Sequence, residues 1–141
     1  MKYNFVFFEV LLLAFVLGSP IWGQSLPTQH EVDSVYDAKC KAGDYITASN
    51  YIIDYSKRKF NDGDEEVALD YQLKNCELIE EHVDYFFNNG LTVNQYFNNW
   101  IVASLMCKNL GYLDDCISIY LDLKDSMNEY APDLFIDFTN Q

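Results

Sequence analysis

Four cysteines are the residues whose type and spacing most clearly imply chemistry. Cys40, Cys76, Cys107 and Cys116 are separated by 35, 30 and 8 residues. Zinc sites use closely spaced ligands such as C-x-x-C, and neither histidine stands at ligand spacing, so we predict no metal site. The acidic segment 62–66 also lacks the register of an EF-hand calcium loop. An even number of cysteines in a small exported chain instead predicts two disulfides.

The two histidines, His30 and His82, are the candidates for a general base. Three acidic residues surround His82 in the sequence: Glu80, Glu81 and Asp84. Carboxylates in such positions can orient a catalytic imidazole, although a surface histidine near acidic residues is the simpler interpretation. The chain contains no G-x-S-x-G, H-E-x-x-H or P-loop motif. We therefore predict a non-catalytic protein without a cofactor.

The first 23 residues have the layout of a secretory signal peptide. Lys2 provides a positive start, and residues 5–17 form an apolar run interrupted only by Glu9. An uncleaved anchor is the alternative, but the run is too short to span a bilayer comfortably. Cleavage after Gly23 would leave residues 24–141 as one secreted, extracellular domain with no stable membrane anchoring.

The charge balance narrows the classes of partner. Nine Lys or Arg residues face 22 Asp or Glu residues, for a formal net charge of −13. This acidity argues against binding to nucleic acid and against docking on anionic lipid. Many acidic residues stand at predicted helix starts, where they complement the helix dipole; these are Asp44, Asp62, Asp64, Glu65, Glu66, Asp114 and Asp115. A basic partner is favoured by charge complementarity.

Apolar residues recur with helical periodicity along nearly the whole chain. We predict an all-α fold of five substantial helices and a short sixth starting at Pro132, arranged as antiparallel hairpins held by two disulfides. Helix starts are indicated by three pairs at capping-box spacing: Thr28 with Glu31, Asp62 with Glu65, and Thr92 with Gln95. Apolar residues continue at helical spacing through the third predicted helix, which leaves open whether residues 65–88 form one helix or two.

Two segments share a repeated pattern. Gly43 is followed five residues later by Ala48, and Gly111 is followed five residues later by Cys116. The glycines are 68 positions apart, which is twice the 34-residue period of tetratricopeptide repeats. With Trp100 at the aromatic position, residues 100–124 resemble a tetratricopeptide hairpin, and residues 32–55 resemble a weaker one.

The middle unit departs from that pattern. Glu77 stands at the glycine position, and His82 stands at the small-residue position. The resemblance therefore covers about half of the chain after the leader. It implies helical hairpins and the binding of a peptide or protein, but it transfers no ligand-clamp residue.

The hairpin around Gly111 bears on the disulfide pairing. Cys107 lies four residues before this glycine and Cys116 five after it, so the two would face each other across the turn. This favours a Cys107–Cys116 bridge, with Cys40 paired to Cys76. The other pairings stay open.

Aromatic residues support two hypotheses about function. Seven of them could fill the core or line an apolar pocket: Tyr51, Tyr55, Tyr71, Phe86, Phe87, Trp100 and Tyr120. The first hypothesis is an extracellular interaction module that binds a protein or peptide through a helical face. The second is a carrier of small hydrophobic ligands. In export, acidity, helicity and length the chain is similar to insect odorant-binding proteins, but it lacks their six-cysteine framework. An enclosed cavity would favour the carrier, and a filled core with an apolar outer face would favour the interaction module.

Overall fold

A computed structural model describes residues 27–130 of the chain. Every regular element within this range is an α-helix, which confirms the predicted all-α class. The leader, its cleavage site and the short element predicted at Pro132 lie outside the described residues. The helices are α1 (Gln29–Lys41), α2 (Tyr45–Asn61), α3 (Glu65–Glu81), α4 (Val83–Asn88), α5 (Val93–Leu110) and α6 (Leu113–Tyr130).

Helix starts follow the predicted capping signals in most places. Thr28 and Thr92 each form a complete capping box, the first with Glu31 and the second with Gln95. The predicted start at Asp62 is wrong by two residues. Asp62 is the C-cap of α2, and the residue before α3 is Asp64, whose carboxylate pairs with Lys59 at 3.0 Å instead of capping the helix.

Residues 65–88 form two helices that meet at His82. The backbone of His82 leaves the helical region, with φ −123° and ψ 35°, and α4 begins at the next residue. The imidazole stacks on Tyr45 at the start of α2, with 3.8 Å between ring centroids. The apolar stripe is continuous across this break because α3 and α4 both pack against the same core, so periodicity alone does not reveal it.

The helices form an array in which the principal contacts join successive members. α1 packs on α2, α2 on α3, α3 on α5, and α5 on α6, while the short α4 follows α3. Ala48 and Cys116, the small residues of the repeated pattern, are both buried in the main core. A smaller cluster of Val32, Ile52, Tyr55 and Tyr71 joins α1, α2 and α3. The two predicted hairpins therefore form, as α1–α2 and α5–α6.

The predicted disulfides are absent from the structure, in which Cys40, Cys76, Cys107 and Cys116 are free thiols. Burial raises the pKa of the Cys76 and Cys107 thiols. A thiol with a raised pKa is less often a thiolate, which is the form that attacks another sulfur.

A chain of polar side chains crosses the buried centre of the array. The hydroxyl of Ser49 donates to Asn75 Oδ1 at 2.6 Å, and Asn75 Nδ2 donates to Asn99 Oδ1 at 3.1 Å. Gln72 Nε2 donates to the backbone carbonyl of Asn99 at 2.9 Å. Because buried amides need partners, this network fixes the register of α2, α3 and α5.

Candidate functional site

Apolar side chains line the outer side of α6, where they face solvent. Five of the six exposed large apolar residues in the described part of the chain lie within residues 112–121. We define the α6 stripe as Leu113, Ile117, Tyr120 and Leu121, which are 59%, 56%, 44% and 59% exposed. Residues spaced by four positions share one face of a helix, so the stripe is continuous over about 12 Å.

The side of α6 next to the stripe is anchored in the core. Cys116, Ile119 and Leu123 are buried there, so the helix presents one apolar side to the protein and a second one to solvent. Ser104 of α5 holds the contact, with 3.3 Å between its hydroxyl and the sulfur of Cys116. Ordinary surface helices have a polar outer side, so this second apolar side is not needed for the fold as described.

The turn before α6 sets the direction of the helix. Gly111 has a φ of 84°, in the left-handed region that glycine adopts without steric cost. The phenol of Tyr112 then donates to the carboxylate of Glu66 in α3 at 2.9 Å. These contacts fix the start of α6 against the rest of the array and so set the direction in which the stripe faces.

Acidic residues border the α6 stripe along one edge. Asp114 precedes Ile117 by three residues and Asp125 follows Leu121 by four, so both lie beside the stripe on the helix surface. Lys124, the one basic residue of the helix, follows Leu121 by three and lies at the C-terminal end of the stripe. The whole helix holds five acidic residues against one lysine, for a formal charge of −4. The three ion pairs found among residues 27–130 all lie elsewhere, between α1 and α3 or in the turns flanking α2.

A cleft of about 270 Å³ lies on the far side of α6, between this helix, α3 and α5. Trp100 and Leu123 give it apolar walls, and Glu80, Asp122 and Asp125 give it carboxylates. Burial, together with the nearby charges of Asp122 and Glu77, raises the pKa of Glu80. The cleft is an open groove and not an enclosed chamber.

The seven aromatic residues proposed from the sequence do not share one cavity. Tyr55 and Tyr71 pack edge to face in the smaller cluster, with ring centroids 4.8 Å apart, and Tyr51 packs beside them. Phe86 is buried in the main core, where Phe87 contacts Tyr96 and Tyr130. Trp100 is half-buried against the main core and lines the cleft, while Tyr120 belongs to the α6 stripe.

The remaining candidates for chemistry lie apart from one another. His30 is exposed on the first turn of α1, and His82 is half-buried in its stack on Tyr45. Within residues 27–130, no three His, Cys, Asp or Glu side chains are grouped in a way that could hold a metal ion.

Sequence reasoning missed the α6 stripe, although its signal was present. Leu113, Ile117 and Leu121 follow each other at four-residue intervals, and Cys116, Ile119 and Leu123 form a second apolar series. Either series alone predicts an amphipathic helix, and only the packing of α6 on α5 shows which one stays outside. Because both series are apolar, the sequence alone does not show that one of them faces solvent.

Comparison with known proteins gives no match to a protein-family model, to a curated protein or to a solved structure. None of the helices within residues 27–130 combines the length and the apolar character needed to cross a membrane.

Proposed function

We propose that this chain is a secreted, extracellular protein-interaction module that binds its partner through the α6 stripe and performs no catalysis. The observation that carries the proposal is the clustering of exposed apolar side chains on one face of α6. Contiguous apolar patches on soluble proteins mark interaction sites more often than isolated apolar residues do. The packing of α6 on α5 supports this role, because a surface on a preformed helix spends little free energy on ordering when it binds.

The alternative role as a carrier of small hydrophobic ligands has weaker support. The proposed pocket residues pack against one another in separate clusters, and the cleft beside Trp100 is open and lined by carboxylates. A displacement assay with a fluorescent fatty ligand tests this role directly. Displacement at micromolar concentrations would favour the carrier, and we expect none.

Export and cysteine oxidation belong to the same proposal. A protein secreted through the predicted leader should begin at Gln24 when it is recovered from culture medium, which N-terminal sequencing would check. In the oxidising exterior we favour a Cys107–Cys116 bridge, because both side chains are buried and their helices, α5 and α6, pack against each other. Peptide mapping without reduction tests this pairing, and a Cys40–Cys116 or Cys76–Cys116 peptide would contradict it.

Site-specific photocrosslinking tests the interaction role. A photoreactive amino acid would replace Ile117 in the stripe, and in a control variant it would replace Asp54, an exposed residue on α2. Each protein would then be irradiated in the fluid into which the chain is secreted. We expect an adduct with another protein from position 117 only, and we expect Leu121→Ser to abolish it. Equal adducts from both positions would contradict the proposal.

A further inference from the structure

We propose that the α6 stripe binds a basic amphipathic helix of another protein. This inference rests on the proposed interaction function and adds the chemistry of the partner. It is drawn from the shape of the array, from the charges beside the stripe and from the charges of the chain itself.

The shape of the array favours a helix as the occupant. Within the described residues, each main helix packs on the next one in the array, and α6 makes its main contacts with α5. Leu113, Ile117 and Leu121 project at four-residue intervals, which forms the kind of ridge that packs into the groove of a neighbouring helix. A partner helix laid along this ridge would continue the packing that α6 itself makes on α5.

The charges beside the stripe favour a basic occupant. Asp114 and Asp125 are exposed on one edge of the stripe, and neither takes part in an ion pair among the described residues. Asp115, Asp122 and Glu129 add to the negative potential of the same helix. A helix with Lys or Arg residues beside its apolar face would place them near these carboxylates, which accelerates association and selects against acidic partners.

The same charges disfavour occupants supplied by the chain itself. A second copy would bring together two chains that each carry a formal charge of −13. Residues 131–141 contain Asp133 and Asp137 but no Lys or Arg, so they also lack the complementary charge. A separate basic protein is the occupant that matches both the apolar ridge and its acidic edge.

Three synthetic peptides of 18 residues would serve as probes against the secreted protein, residues 24–141. The first is an amphipathic helix with Leu on one face and Lys beside it. The second replaces every Lys with Glu, and the third keeps the composition of the first in a scrambled order. We expect fluorescence anisotropy to show binding of the first peptide only. We also expect this affinity to fall as the salt concentration rises, because the charges are exposed.

Two pairs of protein variants separate the apolar and charged contributions. We expect Ile117→Ser with Leu121→Ser to weaken binding of the basic peptide more than tenfold. We expect Asp114→Asn with Asp125→Asn to weaken it about threefold and to flatten its salt dependence, as suits exposed charge pairs. Val35→Ser and Asp54→Asn remove an exposed apolar residue and an exposed carboxylate elsewhere, and they should leave the affinity unchanged.

The outcomes distinguish this inference from the proposed function. Equal binding of the acidic and basic peptides, with loss of both on stripe substitution, would overturn the basic partner while keeping the docking surface. If the stripe substitutions changed no binding at all, both proposals would fail. A photocrosslink from position 117 of the isolated chain to residues 131–141, or to a second copy, would also overturn the inference.

Discussion

Asn75 is the residue through which three helices are held in register. Its side chain accepts from Ser49 on α2 and donates to Asn99 on α5, while its own backbone belongs to α3. Such a residue contributes little net free energy when all its partners are present. It becomes costly when it is removed, because the groups left behind are shielded from water.

We expect Asn75→Ala to lower the free energy of unfolding by about 2 kcal/mol, since it leaves the Ser49 hydroxyl and the Asn99 amide oxygen without their partners. Urea unfolding followed by circular dichroism measures this change. Asn50→Ala, at an exposed neighbouring position on α2, is the control and should change stability by less than about 0.5 kcal/mol. Similar losses in both variants would show that the network does not hold the helices together.

Glu80 makes the stability of the folded protein depend on pH in a direction that can be predicted. Burial, followed by the charge of Asp122, raises the pKa of this carboxyl in the folded state above its value in the unfolded chain. The folded state therefore binds the proton more tightly. The resulting stabilisation is complete at pH values below the unfolded pKa and is lost as the pH rises through the folded pKa.

We accordingly expect Glu80→Gln to raise stability at pH 7 by about 0.5 kcal/mol, a modest value because the side chain is largely exposed to solvent. At pH 3 the substitution should have little effect. Thermal unfolding at the two pH values measures the difference, with Asp70→Asn on the exposed side of α3 as the control. A gain that is as large at pH 3 as at pH 7 would contradict the electrostatic cause.

At the scale of the helix, the α5–α6 turn determines where the stripe lies. Gly111 adopts a positive φ, and a Cβ added there would meet no atom within 4 Å. The cost of any substitution at this position is therefore conformational and not steric. The packing of α5 against α6 holds the turn between them in place.

We expect Gly111→Ala to lower the free energy of unfolding by about 1–2 kcal/mol, because alanine in the left-handed region brings its Cβ too close to the following carbonyl oxygen. Gly111→Asn should cost less, since asparagine tolerates this region better. Chemical denaturation of the two variants compares them. If alanine proved as stable as glycine, the turn would not require the positive φ.

The helices and their ends could largely be predicted, whereas the exposed face could not. Thr28 and Thr92 marked helix starts through side chains that bond within one turn, and such local signals are legible in a sequence. The break at His82 depends on stacking against Tyr45, which is 37 positions earlier in the chain. Which side of α6 meets solvent depends likewise on packing between helices. Long-range contacts of this kind leave no fixed spacing in the sequence.

At the scale of the whole molecule, the acidity has two parts. Asp44, Glu65 and Glu66 lie at helix starts, where they stabilise the fold whatever the protein binds. Of the two carboxylates beside the α6 stripe, Asp114 also lies at a helix start, whereas Asp125 lies further along the helix. The net charge of −13 therefore overstates the part of the surface that is available for a basic partner.

Hydroxyl-radical footprinting of the secreted protein, residues 24–141, tests the central claim most directly. In the isolated protein we expect rapid oxidation of Leu113, Ile117 and Leu121, at rates comparable with that of the exposed Val35. In the presence of the partner captured by photocrosslinking, we expect protection of the α6 residues of at least fivefold while Val35 stays reactive. Oxidation of α6 that is already slow in the isolated chain, or that is unchanged by the partner, would contradict the assignment of this face as the docking surface.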